Sequence, residues 1–176
     1  MNTMKTRRLM TILTGVFLLA LVLVLSMIPK PYADYVTMIQ PALLIVLCAV
    51  IFMNTWIALL IGILTPVCLY FIFWNGPFVP DYLMLLLVLT VTALAAWLVY
   101  EYLGAVFPAV LIGVLSGRIV LGIAELIYHY VNDLPYSIHD YLQEGFVNGW
   151  PGLLAAVVLI PLIHYLIFHK EEERVK

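Results

Sequence analysis

An all-α bundle of membrane-spanning helices is the fold this sequence predicts, and three observations carry the expectation. Hydrophobic residues make up 65% of the 176 positions and charged ones only 10%, so a soluble domain of this size could not hide its apolar surface. The mean hydropathy of +1.12 says the same. The apolar residues also fall in runs close to the ~20 positions a helix needs to cross a bilayer, separated by short breaks rich in Pro, Gly, Asn and Asp. The chain therefore reads as a single transmembrane domain over 1–176. A net charge of −2 argues against a nucleic-acid partner.

The first apolar run, Leu9 to Ile28, follows Lys5, Arg7 and Arg8. It is too long for a signal peptide and lacks a small-x-small cleavage pattern, so it reads as the first span. Thr11 and Gly15 on it form a small-xxx-small pair suited to a helix contact. Pro29 and Pro31 end it, and a second span is expected from about Val36 to Met53, with Pro41 near its start. Asn54 and Thr55 connect it to a third span, Trp56 to Trp74, giving an antiparallel hairpin. The break Asn75 to Asp81 precedes a fourth span, Tyr82 to Tyr100, and Glu101, Tyr102 and Gly104 turn the chain into a fifth, Ala105 to Glu125. A polar connection from Ile127 to about Phe146 leads to the sixth, from about Asn148 to Phe168.

Six spans place both termini on one side. Lys5, Arg7, Arg8, Lys170, Arg174 and Lys176 flank the termini, whereas the opposite loops hold only Lys30, so the termini are expected to be cytoplasmic. Trp74 and Trp150 then fall at the outer interface and Trp56 and Trp97 at the inner one, as an aromatic belt requires.

The fifth span is the most informative. Ala109, Gly113 and Gly117 recur at i, i+4 and i+8, with Ser116 beside them, a smooth face for close helix approach. Arg118, Gly122 and Glu125 share a neighbouring face. A guanidinium at the centre of a spanning helix costs about 3 kcal/mol on insertion scales, so it faces protein, a cavity or a ligand. Arg118, Gly122 and Glu125 are thus candidate substrate-binding residues, joined by Asn148 and Trp150 at the start of the sixth span. An arginine there favours a carboxylate or phosphate, and Trp150 or Tyr136 would suit a ring. The structural alternative is an ion pair between Arg118 and Glu125.

Other features have plain readings. Cys48 and Cys68 lie inside apolar spans and read as small core residues. The His129, Asp133, His139 and Asp140 set has no compact ligand spacing, so no metal site is expected and a solvated loop is. His164 reads as an interhelical histidine, and Gly152 with Ala156 as a packing seam. No HExxH, GxSxG or paired carboxylates occur, so no enzyme is expected.

Three segments, NGPFVPDYLMLLL from Asn75, LSGRIVLGI from Leu115 to Ile123, and NGWPGLLAAVVLIPLIHYLI from Asn148 to Ile167, resemble the substrate-binding S components of energy-coupling factor (ECF) transporters. The likeness covers nearly the whole chain and includes its length, six helices and cytoplasmic termini. It implies a binder of a vitamin or related micronutrient in a prokaryotic plasma membrane, with a pocket in the outer half of the bundle closed by outside loops. It further implies a transmembrane coupling subunit and two ATPase subunits as partners. The chain has no GxxxxGK[ST] loop and no cofactor is expected; ATP would be hydrolysed by the partners. The family often has alanines at i and i+4 of the first helix, where the coupling subunit docks, and Thr11 and Gly15 take those positions here. The alternative reading is a membrane scaffold like the cell-shape protein MreD, of similar length and helix count, with no pocket.

Overall fold

The computed structural model describes residues 40–53, 55–73 and 80–175, together with the helical positions 17, 20 and 24. Within them the chain is helical: α1 (Pro41–Phe52), α2 (Thr55–Phe73), α3 (Asp81–Leu103), α4 (Val106–Val131), a short α5 (Ile138–Leu142), a π turn (Gln143–Asn148) and α6 (Trp150–Val175). No strand occurs among the described residues. The all-α expectation holds.

The stretches Asp81–Leu103, Val106–Val131 and Gly145–Leu166 are each long and apolar enough to cross a membrane, and shorter apolar helices accompany them. This fits a helical membrane protein. Apart from positions 17, 20 and 24, the expected first span, Thr11 and Gly15 included, lies outside the described residues, as do the connections through Lys30 and Asn75.

α1 is the centre. Leu43, Ile45, Val46, Leu47, Ala49, Val50 and Ile51 are all buried, so the helix is covered on every side, as an apolar helix without a polar face must be. It packs against α2, α3, α4 and α6. Its twelve residues span only about 18 Å. The expected start at Val36 is not where the described helix begins. It begins at Pro41, a residue pre-set for the first helical position, and Gln40 before it sits in the left-handed region at φ 51°, ψ 59°.

The most extensive helix pair is α3 with α4, and glycine explains it. A Cβ at Gly113 would meet Ala96 Cβ at 2.8 Å and the Thr92 carbonyl at 3.1 Å; one at Gly117 would run into the Thr92 hydroxyl. Ala109, Thr92, Ala93 and Ala96 are fully buried along this seam. The smooth face read from the sequence is therefore the face that carries α3. The turn between the two helices is Gly104–Ala105, with Gly104 at φ 62° donating its N–H to the Tyr100 carbonyl at 2.9 Å, a left-handed cap that suits glycine.

α2 tolerates Pro66, and the neighbouring Thr65 hydroxyl donates to the Ile61 carbonyl at 2.7 Å. At the Gly104 end of the bundle, His164 of α6 lies between the rings of Phe52, 5.9 Å away, and Tyr100, 6.4 Å away. It is the interhelical histidine expected.

One boundary moves the other way. α4 was expected to stop at Glu125, but it runs on to Val131. Polar side chains at its tip do not break a helix; the stop comes at Asn132, whose side chain donates to the Tyr128 carbonyl at 2.8 Å, and at Asp133, with φ 53°. The connection expected to be simply polar also contains α5 and the π turn.

Candidate functional site

Arg118 is halfway along α4 and only 5% exposed. It follows Gly117, whose close contact with Thr92 fixes the backbone against α3, so its side chain leaves on the side turned from that helix. There the guanidinium Nη2 donates to the Gln40 Oε1. Gln40 is 78 positions away in the chain, yet it immediately precedes α1, whose packing on α4 and α6 brings it to this level.

Gly149 completes the contact. A Cβ on it would lie 2.5 Å from Gln40 Nε2 and 3.3 Å from Arg118 Nη2, so a side chain here would displace the amide. Gly149 is buried and immediately precedes α6. The residues just ahead of two helices thus meet over one buried cation.

The second polar layer comes from α5. The Tyr141 hydroxyl donates to the Arg118 carbonyl at 2.7 Å, and its ring lies in the notch left by Gly122, where a Cβ would meet Tyr141 Cζ at 2.8 Å. Phe146 of the π turn stacks edge-on to the same ring at 6.1 Å. Burial is the largest cause pushing the Tyr141 phenol above its ordinary value; Tyr136 and Glu125 add to it and Arg118 opposes it. The phenol therefore remains a donor across neutral pH.

The sequence-derived residues fall into place unevenly. Arg118 and Gly122 belong to one cluster, and Glu125, one turn on, acts electrostatically on both Arg118 and Tyr141. Asn148 closes the π turn, one residue from Gly149. Trp150 is 57% exposed at the start of α6, so its ring faces outward. Gln40, Tyr141 and Gly149 were not anticipated as members. The hydrogen bond described for the guanidinium goes to Gln40, where sequence reading had put Glu125 or a ligand.

Near the tip of α4, His129 Nδ1–H donates to the Glu125 carbonyl at 2.9 Å and its ring lies 5.6 Å from that of Tyr136. Among the described residues, no three His, Cys, Asp or Glu side chains come together to hold a metal.

A groove of about 490 Å³ lies between α3 and α4, lined by Leu83, Met84, Leu87, Val120, Ile123 and Ile127 among others. Val120 and Ile127 are near half a turn around α4 from Arg118. The groove is therefore apolar and on the far side of the helix from the polar cluster. Compared with known proteins, the chain matches no family model, no curated protein and no solved structure.

Proposed function

We propose that this chain is the substrate-binding S component of an ECF-type transporter, taking up a vitamin-like micronutrient with an anionic group. The observation that carries the reading is the buried Arg118 held against Gln40 and Gly149, the residues just ahead of two helices, with Tyr141 closing over it. A membrane scaffold needs no buried arginine, which is costly in an apolar bundle. A binding protein for an anion does, because guanidinium offers a planar fork for a carboxylate or phosphate.

In this reading the chain crosses the plasma membrane of a prokaryote six times with both termini inside. The Gln40 end of the bundle then faces outward, and ligand arrives from that side. The coupling subunit docks on the small positions Thr11 and Gly15 of the first span, and two ATPases supply the energy. The candidate ligand set keeps Arg118, Gly122, Glu125 and Asn148, joined by Gln40, Tyr141 and Gly149; Trp150, whose ring faces outward, is set aside.

Native mass spectrometry of the detergent-purified chain tests the reading. A small anionic molecule retained by the protein, lost on Arg118→Ala, is the expected result. A folded protein that retains nothing and co-purifies with neither a coupling subunit nor ATPases would instead favour the scaffold.

A further inference from the structure

Gln40 combines three features that do not belong to an ordinary helix start. Its backbone is left-handed, at φ 51° and ψ 59°, although a residue before proline favours extended conformations. Its side chain points into the bundle and accepts from the buried Arg118. Its amide also fills the space left by the absent side chain of Gly149. A neutral amide oxygen is the weaker kind of acceptor for a guanidinium; a carboxylate makes a shorter, stronger bond and can take two N–H groups at once.

We propose that Gln40 is a built-in stand-in for the ligand: its amide oxygen holds the place on Arg118 that a carboxylate of the transported molecule takes. This deepens the ligand reading above and rests on it. In the empty protein the amide keeps the guanidinium partnered, so a bare charge is never left in the apolar bundle. An arriving carboxylate replaces a neutral contact by a charge-assisted one. The released Gln40 then returns to the extended backbone that precedes a proline, so displacement also relieves strain at the entrance to α1. Gly149 leaves room for the exchange, since neither group must pass a side chain there.

The test uses the purified full chain in detergent, with phenylglyoxal to label guanidinium groups and peptide mass spectrometry to follow Arg118. Benzoate is the carboxylate probe and benzamide its uncharged isostere. Benzoate should slow labelling of Arg118 in the unmodified protein, and benzamide should not. Gln40→Ala should speed labelling roughly tenfold in the absence of anion, the weight of one hydrogen bond to a charged group, and benzoate should restore protection. Gln40→Glu should label more slowly than the unmodified protein and be indifferent to benzoate, because its own carboxylate holds the site.

Should the alanine variant fail to fold, Gln40→Asn keeps an amide at ease in the left-handed region but one methylene short of Arg118, and is expected to behave alike. Equal labelling of the unmodified, Asn and Glu proteins, or protection by benzamide equal to that by benzoate, overturns the proposal. The measurement needs no partner subunit. Anion competition without co-purifying subunits would therefore sink the transporter reading alone, whereas retained anionic ligand without competition would sink the role of Gln40 alone.

Discussion

Two faces of α4 use glycine for different ends. Along Gly113 and Gly117 the missing side chains admit the backbone and short side chains of α3, in contacts where Ala96 and Thr92 leave no room for a Cβ. Around Gly122, and at Gly149 opposite, the missing side chains admit the far ends of longer groups, the Tyr141 ring and the Gln40 amide. The first kind of contact is between parts that cannot yield separately. The second is between a fixed helix and side chains with torsions of their own. Packing glycine and site glycine look alike in the sequence, and what they admit separates them.

The largest effect is expected on the packed side. Gly113→Leu should destabilise the protein by about 3 kcal/mol or prevent folding, since Ala96 and the Thr92 carbonyl cannot move without shifting α3. A fall in melting temperature and loss of a monodisperse elution peak would show it; a protein of unchanged stability would mean the seam is looser than described. On the other face, Arg118→Ala should leave a folded protein whose affinity for the proposed anionic ligand falls roughly ten- to a hundredfold, as for a lost charge-assisted contact of about 1.5–3 kcal/mol. Isothermal titration measures this directly, and unchanged affinity would reduce Arg118 to a structural role.

Smaller changes sharpen the contrast. Gly122→Ala should cost about 1 kcal/mol, because the new methyl meets the tip of Tyr141, which can swing away. Gly117→Ala should cost clearly more, as the new methyl would run into the buried Thr92 hydroxyl of α3. Chemical denaturation of the pair in one detergent ranks them, and the reverse order would dissolve the distinction. Tyr141→Phe is expected to be mildest. It keeps the ring in the notch and loses only the hydroxyl bond to the Arg118 carbonyl, worth about 1 kcal/mol or less.

Much of the fold was legible because membrane helices announce themselves by length and apolarity. The α3–α4 turn at Gly104 and the seam at Ala109, Gly113 and Gly117 were readable from local spacing. So was Arg118 as a buried charge. The partners of Arg118 were not. Gln40 is 78 positions away, and Tyr141 is 23 positions on, in a short helix that resembled loop. No periodicity links such residues; only the packing of α1 and α6 on α4 brings Gln40 and Gly149 together. The end of α4 is not legible in the same way: IYHYV, rich in polar-tipped aromatics, looks like connection, whereas none of its residues breaks a helix before Asn132.

The two-residue turn at Gly104–Ala105 has a mechanical consequence. Held together by that turn at one end and by the glycine seam from there as far as Gly117, α3 and α4 form one lever up to the groove that opens between them, and Arg118 is riveted to it by the backbone of Gly117. Gln40 and Tyr141 come from other pieces of the chain. A torque that tilts the lever against α1 and α5 would therefore strain the contacts of Arg118 with Gln40 and Tyr141 while the seam holds.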